Sequence, residues 1–351
     1  MISIVGGGPI GCYSGYLLAK KGYNVRIFEE HKKIGAPVAC TGILTSQIKG
    51  FIKPEEPFLI NTCTRTKVYS PKGKILEVKI KPNYVFDRQK FDQHIASLAE
   101  NEGAKIYCQH RFSQIKKNKI KVNNKFLESD YIIGADGPNS SVAKSIGIYG
   151  KREMTIGVQA RIKTKCEPDL VEFWLGRGQF GWLVPENESI ARLGVISYKN
   201  AGMHFNELQK TRCPESKILE WQSGIIPVYD PKISIQKNNV RLIGDAAAQV
   251  KATTFGGILF GMKAARHLAI DIKNYETRIK KNLNKELKVA LKIRKMLDKF
   301  SKEECDELIS LCEKAKVKKI LENHDRDYPS KMLFKLMVAQ PNFLKFIKKI
   351  I

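Results

Sequence analysis

The sequence predicts an α/β protein: a Rossmann-like nucleotide-binding domain, an interleaved antiparallel-sheet domain of the α+β type, and a C-terminal helical segment. A strand–turn–helix–strand pattern with a glycine-rich turn fills the first 29 residues. Residues 63–86 and 154–228 show strand-like patterns broken by turns. From about residue 257 the chain has apolar residues at helical spacing. At 351 residues, two domains and a sizeable core are expected.

These patterns also predict the domain boundaries. The nucleotide-binding domain is predicted to comprise residues 1–62, 88–150 and 236–272. The substrate-binding sheet domain is predicted to comprise residues 63–87 and 151–235, and the C-terminal helical region residues 273–351.

The glycine-rich turn lies directly after the first apolar strand and opens a helix. Gly6 permits a tight turn, Gly8 lets the backbone approach a pyrophosphate, and Gly11 lets the helix pack closely on the strand. The free N–H groups at the helix N-terminus then face the phosphates. Glu29, which ends the second strand, is placed to accept hydrogen bonds from a ribose. The unit predicts dinucleotide binding without separating FAD from NAD.

Two later segments favour FAD. Gly134-Ala135-Asp136-Gly137 ends one strand, and Gly244-Asp245-Ala246 follows another. A carboxylate at Asp245 would reach the ribityl chain or the pyrophosphate side of the cofactor. Gly257 and Ile258 begin a helix whose positive end would stabilise an anionic reduced flavin. Taken alone, each segment is also compatible with ordinary turn packing or with helix capping by Asp136; together they predict one FAD pocket.

Other candidate residues have two interpretations each. Arg88 either holds the pyrophosphate by a charge-assisted bond or is a surface arginine. Cys40, near Gly42, is either a proton donor or shaping group beside the flavin ring, or an inert cysteine. Phe180 and Trp182 alternate on a predicted strand and share one face, so they line either an apolar tunnel or a plain core.

Composition excludes several classes of protein. No apolar run is long enough to cross a membrane. The first strand begins at the first residues and leaves no room for a signal peptide, so a cytoplasmic location is expected. The eight cysteines form no metal-binding spacing, so no metal site is expected. The net charge of +26 indicates either an anionic partner or a lysine-solvated surface. Aromatic residues are sparse among the basic runs, which argues against a nucleic-acid platform.

Taken together, the motifs resemble the geranylgeranyl reductase family, in particular the archaeal digeranylgeranylglycerophospholipid reductases, within the p-hydroxybenzoate hydroxylase-like flavoproteins. The resemblance covers residues 1 to about 270. It rests on the dinucleotide motif, Pro37-Val38-Ala39-Cys40-Thr41-Gly42, Phe86-Asp87-Arg88, Gly134-Ala135-Asp136-Gly137, Phe180-x-Trp182-x-x-Pro185, and Gly244-Asp245-Ala246-Ala247 with Thr253-Thr254. Phe255 departs from the family, which usually has a glycine there, and the last 80 residues carry no matching motif.

The resemblance implies an FAD-dependent reductase that saturates prenyl double bonds of isoprenoid precursors of archaeal membrane phospholipids. Hydride would come from N5 of the reduced flavin, and a proton would complete each saturation. Cys40 would lie near the flavin ring and is the candidate catalytic residue. The candidate substrate residues are Phe180, Trp182 and Pro185. The candidate cofactor-binding residues are Gly6, Gly8, Ile10, Gly11, Glu29, Cys40, Gly42, Arg88, Asp245, Gly257 and Ile258.

Partners and competing functions stay open on the sequence. Ferredoxin, a deazaflavin or NADPH would each serve as electron donor. The stretch 343–351 is amphipathic and basic, so it either rests on an anionic membrane surface or packs on the core. An FAD-dependent hydroxylase, monooxygenase or halogenase of the same fold is the main alternative function. An electron-carrying flavoprotein without a small-molecule substrate is the third.

Overall fold

The computed structural model describes residues 1–347 and 349, and these residues form two compact units. The first unit comprises Met1–Val38, Arg88–Glu153 and Ile226–Lys288. The second unit comprises Ala39–Asp87, Met154–Ile225 and Val289–Ile351. Residues 348, 350 and 351 of its last segment are not among the described residues.

The units differ from the predicted domain boundaries at several places. Residues 39–62, predicted for the nucleotide-binding domain, and 289–351, predicted as part of a separate helical region, cluster with the second unit. Residues 151–153 and 226–235, predicted for the sheet domain, and 273–288, predicted for the helical region, cluster with the first unit. Compactness alone does not assign a ligand to a segment, so the functional domain boundaries stay a prediction.

The bounds of the elements follow in chain order. The strands of the described residues are β1 Ile2–Val5, β2 Val25–Phe28, β3 Ile43–Thr45, β4 Leu59–Tyr69, β5 Ile75–Phe86, β6 Lys105–Tyr107, β7 Phe112–Lys116, β8 Lys119–Val122, β9 Lys125–Glu128, β10 Tyr131–Gly134, β11 Met154–Lys163, β12 Leu170–Leu175, β13 Phe180–Pro185, β14 Ile190–Ser197, β15 Lys217–Pro227, β16 Gln236–Lys237 and β17 Val240–Leu242. The α-helices are α1 Pro9–Ala19, α2 Arg88–Asn101, α3 Ser141–Ser145, α4 Ala201–Arg212, α5 Ile258–Ile270, α6 Tyr275–Asn282, α7 Asn284–Leu297, α8 Lys302–Cys312, α9 Ala315–Asn323, α10 Pro329–Ala339 and α11 Leu344–Ile347. Short 3-10 helices occupy Ser46–Gly50, Gly244–Ala247 and Pro341–Phe343.

The first unit is built on a six-stranded sheet of order β16-β17-β10-β1-β2-β6. Every neighbouring pair is parallel except β16 with β17. Strands β1 and β17 are fully buried and apolar except for Ser3 and Arg241, as expected for a parallel sheet covered on both faces. In the register of the sheet, Val5 pairs with Gly134 and Gly134 with Leu242. The three glycine-containing segments that follow β1, β10 and β17 therefore leave the sheet at the same edge. A separate three-stranded sheet of order β7-β8-β9 belongs to the same unit.

The second unit is built on an eight-stranded sheet of order β15-β11-β14-β13-β12-β4-β5-β3. Strands β4 and β5 form the antiparallel hairpin that the sequence predicted. Residues 201–212 form helix α4, so the expectation of a strand-rich segment over 154–228 is wrong there. Only Ala201, Phe205 and Leu208 of α4 are buried, and this thin apolar stripe gave little helical signal. They pack on Leu183 and other apolar residues of the sheet.

The last helices pack within the second unit. Phe343 and Phe346 are buried in one apolar cluster with Leu76, Val78 and residues of α8 to α10. This part of the predicted basic amphipathic stretch therefore follows the core-packing interpretation. Residues 348, 350 and 351 of that stretch lie outside the described residues.

Across residues 1–347 and 349, no helix has the length and apolar character required to cross a bilayer. The same residues contain no cluster of three or more His, Cys, Asp or Glu side chains that would hold a metal ion.

Candidate functional site

The N-terminus of α1 presents free backbone donors. Its N-cap is Gly8, no side chain caps this end, and the first turn contains no acidic residue. A Cβ added at Gly8 would meet no atom within 4 Å, whereas one at Gly11 would lie 2.0 Å from the carbonyl oxygen of Gly6. Gly11 is therefore required by the packing of the fold, while Gly8 keeps open the side from which a phosphate would approach.

Glu29 lies at the end of β2 beside this turn. One carboxylate oxygen accepts from the backbone N–H of Gly7 at 2.7 Å, and the other accepts from the N–H of His31 at 2.9 Å. Nδ1 of His31 also lies 2.5 Å from that second oxygen. A carboxylate offers about four acceptor positions, so about one remains for a ribose hydroxyl. The bonds from Gly7 and His31 fix the orientation of the carboxylate in advance.

The three cofactor segments predicted from the sequence touch one another. A Cβ at Gly6 would lie 2.3 Å from the carbonyl oxygen of Ala135, so the first and second segments are in direct contact. The side chain of Ile10 packs against Gly244 and Gly261, where added Cβ atoms would lie 3.3 Å and 2.7 Å away. Glycine at these positions lets α1 approach the third segment and α5 closely.

Asp245 and Gly257 lie together at the start of α5. A Cβ at Gly257 would lie 2.7 Å from Oδ1 of Asp245. No side chain caps α5, whose N-cap is Gly257, so its first N–H groups and its dipole are available beside the carboxylate. Burial raises the pKa of Asp245 to about 6, although the positive charge of Arg88 opposes the shift.

Arg88 is an internal residue and does not fit the surface-arginine alternative. Its side chain is 11% exposed and donates from Nε and Nη2 to the two carboxylate oxygens of Asp92, at 3.2 and 3.0 Å. The pair is four residues apart on α2, a spacing that brings side chains together on one helix face. Its positive charge opposes the rise that burial causes in the pKa of Asp245.

Sequence reasoning missed the residues that hold the Gly244–Ala247 turn. Nη2 of Arg152 donates to the carbonyl of Ala246 at 2.8 Å. Oε1 of Gln249 accepts from the N–H of Gly244 at 2.9 Å, and its amide nitrogen donates to Tyr275. No motif marks these residues, because each acts on backbone atoms through a contact formed only in the folded chain.

Phe255, where the resembled family usually has glycine, adopts a left-handed backbone with φ of +50°. This conformation is unfavourable for a bulky residue and suits glycine. Its side chain is only 6% exposed, so burial offsets the strain.

In the second unit, the loop that carries Cys40 is held by a buried arginine. Nη1 of Arg192 donates to the carbonyl oxygens of Thr41 and Phe86, the latter at 3.0 Å. Nε of Arg192 donates at 2.8 Å to Glu186, which also accepts from Arg161 at 2.8 Å. The side chain of Arg192 is 9% exposed and that of Glu186 is 4% exposed, so the two form a buried ion pair. Arg192 also hydrogen-bonds to the backbone of the loop. Sequence reasoning did not single out any of these three charged residues.

Phe180 and Trp182 share one face of β13, and this face lies close to the loop residue Thr41 that Arg192 holds. Their ring centroids are 5.9 Å apart, and both side chains are more than nine-tenths buried. A Cβ at Gly194 would lie 2.3 Å from the Trp182 ring, so this glycine lets the indole lie across β14. Gln159, which would also clash with that Cβ, accepts from the hydroxyl of Thr41 at 2.8 Å.

Cys40 is a half-buried free cysteine, and its sulfur accepts from the N–H of Gly42 at 3.4 Å. Gly42 has φ of +70°, a turn conformation that favours glycine, and its carbonyl accepts from Phe86. Pro185, at the end of β13, is buried, and its carbonyl accepts from Asn61 at 2.9 Å. The loop and the aromatic strand thus belong to one hydrogen-bonded framework within the second unit.

The residues of the first unit fit FAD. An uncapped helix start with an open glycine suits a pyrophosphate, a preoriented carboxylate suits a ribose, and a second uncapped helix start beside Asp245 suits the flavin end.

Comparison with protein families gives two matches in this chain. The NAD(P)-binding Rossmann-like domain matches residues 4–42, and the FAD binding domain matches residues 55–215. The first match contains the α1 turn and Glu29. The second contains Arg88 and strands β4, β5 and β11 to β14 of the second unit's sheet.

Curated relatives match over the full chain. The chain is 27% identical to the digeranylgeranylglycerophospholipid reductase of Methanocaldococcus jannaschii, covering 100% of this chain and 98% of that protein. It is 26% identical to the enzyme of the same name from Methanothrix thermoacetophila, with 91% and 93% covered.

Solved structures share the fold. A geranylgeranyl bacteriochlorophyll reductase-like protein from Thermoplasma acidophilum superposes with a TM-score of 0.86 at 23% identity, covering 100% of this chain and 98% of that one. A flavin-dependent brominase variant superposes with a TM-score of 0.70 at 18% identity, with 91% and 97% covered. The fold is therefore shared by reductase-like and halogenating flavoproteins.

These matches confirm three predictions made from the sequence: the fold class, the FAD cofactor and the family resemblance. The chain is an FAD-binding protein of Rossmann-like α/β fold that resembles the digeranylgeranylglycerophospholipid reductases along its whole length.

Proposed function

We propose that this protein is an FAD-dependent oxidoreductase that saturates the geranylgeranyl double bonds of an isoprenoid membrane-lipid precursor. The observation that carries the proposal is the full-length similarity to reductases of that name, joined to an FAD binding domain. The hydroxylase and halogenase alternative rests only on a shared fold at 18% identity or less.

The residues have separate tasks in this proposal. Gly6, Gly8, Ile10 and Gly11 form the pyrophosphate turn, and Glu29 accepts from the ribose. Arg88, Asp245, Gly257 and Ile258 hold the flavin end of the cofactor, with Gly42 contributing from the Cys40 loop. Bound FAD, once reduced, supplies a hydride to one carbon of the alkene.

The second unit's residues handle the substrate. Phe180, Trp182 and Pro185 line the path of the prenyl chain and exclude water from it. Cys40 gives a proton to the alkene carbon that does not receive the hydride, which balances the saturation of each bond. Arg192 positions Cys40 by holding the neighbouring carbonyl, so it acts through the loop and not on the substrate.

The reduced cofactor requires an external electron donor. Ferredoxin, a deazaflavin or NADPH would each serve, and the net charge of +26 favours an acidic ferredoxin. The lipid substrate also favours peripheral contact with an anionic membrane surface, where such precursors partition.

The test is an anaerobic turnover experiment with detergent-dispersed geranylgeranylated phosphoglycerol lipid. Dithionite keeps the flavoprotein reduced, and mass spectrometry follows the lipid. We expect the lipid to gain one pair of hydrogens for each double bond reduced. Lipid that gains oxygen or halide only after air is admitted would overturn the proposal in favour of the alternative.

A further inference from the structure

Helix α10 presents an exposed face that is both apolar and basic. Phe334 and Val338 are 65% and 69% exposed, the highest values among the large apolar side chains of the described residues. They lie four residues apart, so both occupy the same side of the helix. Single exposed apolar residues are ordinary, but two on one face leave an unpartnered apolar patch.

Lysines share that face. Lys331 and Lys335 are exposed. Because each residue of an α-helix is rotated by about 100° from the one before, these lysines lie on the same side of α10 as Phe334 and Val338. The opposite side is anchored, because Leu336 is buried in the apolar cluster of the second unit and Met332 packs against it. The exposed face is therefore fixed outward by packing.

The surrounding charge is strongly positive. Residues 314–347 carry eight Lys and Arg against three Asp and Glu, a net charge of +5. Helix α9 packs against α10 and contributes exposed lysines at 316 and 319. An apolar patch ringed by lysine complements an anionic lipid surface, where apolar side chains enter the acyl boundary and lysines meet the phosphates.

The N-terminal end of α10 is hydrogen-bonded to the segment that follows the Cys40 loop. The carboxylate of Asp327 accepts from the hydroxyl of Thr45 at 2.5 Å. Tyr328, the N-cap of α10, donates its hydroxyl to Gln47 at 3.4 Å. Thr45 and Gln47 lie only three and five residues beyond Gly42. The helix is thus hydrogen-bonded to the same part of the second unit that carries the candidate proton donor.

We propose that the exposed face of α10, formed by Lys331, Phe334, Lys335 and Val338, docks on anionic membrane lipid. This inference rests on the proposed function, which supplies the reason for lipid contact. It assigns the contact to α10 in place of the C-terminal stretch 343–351, whose Phe343 and Phe346 are buried.

The first test measures co-sedimentation of the full chain with vesicles of phosphatidylglycerol and phosphatidylcholine. Phe334→Ser with Val338→Ser should weaken binding by about tenfold or more. Lys331→Gln with Lys335→Gln should weaken binding to anionic vesicles and leave binding to pure phosphatidylcholine unchanged. The matched control is Ile270→Ser, which removes a 55% exposed apolar side chain from α5 and should not alter binding.

A second variant reports membrane contact as a change in fluorescence, so the test does not depend only on a loss of vesicle binding. Phe334→Trp places an indole on the face, and its emission should shift to the blue when anionic vesicles are added. A blue shift that follows protein concentration without vesicles would mean that a second copy of the chain covers the face. That result, or unchanged vesicle binding in the paired serine variant, would overturn the proposal.

The two proposals fail in different ways. If the wild type reduces detergent-dispersed lipid but the serine variant binds vesicles normally, only the docking face is wrong. If the wild type binds vesicles through α10 yet reduces no lipid in detergent, only the proposed reaction is wrong.

Discussion

Arg192 donates a hydrogen bond to the carbonyl oxygen of Thr41, the residue directly after Cys40. The same guanidinium is paired with Glu186 at 2.8 Å and is almost fully buried. The position of the Cys40 loop is thereby linked to strand β14, which lies beside the strand carrying Trp182. A buried arginine with three acceptors on fixed atoms holds this loop with little freedom.

Arg192→Lys should lower turnover while retaining most of the fold. Lysine keeps the charge but not the planar fork, so it cannot serve Glu186 and both carbonyls together. Misplacing a catalytic group by about 1 Å can cost on the order of a hundredfold in rate. We therefore expect turnover to fall roughly ten- to a hundredfold, measured as lipid reduced under anaerobic conditions.

Arg161→Lys is the matched control, because Arg161 binds the same carboxylate but is 39% exposed. Its turnover should stay near the wild-type value. Equal losses in the two variants would show that Glu186 pairing in general, and not the bond to Thr41, sets the rate. Arg192→Ala should instead lower the free energy of unfolding by about 1–3 kcal/mol, because the carbonyls of Thr41 and Phe86 lose their donor while Glu186 keeps only Arg161 as a partner.

Gly8→Ala should weaken FAD binding without weakening the fold. The added methyl meets no protein atom within 4 Å, and the φ of −68° is ordinary for alanine. We expect the free energy of unfolding of the FAD-free protein to change by about 0.5 kcal/mol or less. The dissociation constant for FAD should rise by about tenfold or more, measured by fluorescence titration.

Gly11→Ala is the contrasting variant. Its methyl would lie 2.0 Å from the carbonyl oxygen of Gly6, so the protein itself must shift. It should lose roughly 2 kcal/mol or more of folding free energy. If Gly8→Ala binds FAD normally, the α1 turn is not the pyrophosphate site.

Asp245→Asn should stabilise the FAD-free protein at neutral pH and not in acid. Burial raises the pKa of Asp245 from 3.8 to about 6. The folded state therefore holds the proton more tightly than the unfolded state, and ionising Asp245 above its folded pKa opposes folding. The asparagine variant lacks this penalty.

Urea unfolding across pH checks the prediction. The free energy of unfolding of Asp245→Asn relative to wild type should increase between about pH 4 and pH 6, by about 1–3 kcal/mol in total, and then level off. A difference that does not vary with pH would show that the carboxyl titrates alike in both states. FAD affinity should fall in the variant, because the carboxylate is proposed to bind the cofactor.

Cys40→Ser should retain FAD and lose turnover. A serine hydroxyl is a far weaker acid than a thiol, so proton transfer to the alkene should slow by roughly a hundredfold. Cys108→Ser is the control, since Cys108 is also a half-buried free cysteine and lies in the first unit. Full turnover in Cys40→Ser would remove the thiol from the reaction and leave the loop with a shaping role only.

The sequence predicted the fold class well because its signals are local. The Gly6–Gly11 turn, Glu29 and the Gly244–Asp245 segment each follow a short apolar strand, and parallel pairing brings such turns to one sheet edge. Helix α4 was missed because its apolar stripe is thin. The buried state of Phe343 and Phe346 was one of two open alternatives, since an amphipathic pattern does not say which partner covers it.

The rest of the candidate site was beyond sequence reasoning for a different reason. Arg192, Arg152 and Gln249 hold backbone carbonyls and amides, contacts that leave no pattern of residue types. Gly194 looks like any strand glycine until the Trp182 ring is seen lying across it. Such residues are recognised only when the chain is folded.

The central claim is that the reduced protein passes hydride to a prenyl double bond. Its most direct test is the absorbance of the flavin under strictly anaerobic conditions. The protein is reduced with dithionite, excess reductant is removed, and geranylgeranylated phosphoglycerol lipid is added. We predict that the oxidised flavin spectrum returns in proportion to the double bonds saturated. A flavin that stays reduced until oxygen is admitted would contradict the account and favour an oxygen-dependent hydroxylase or halogenase.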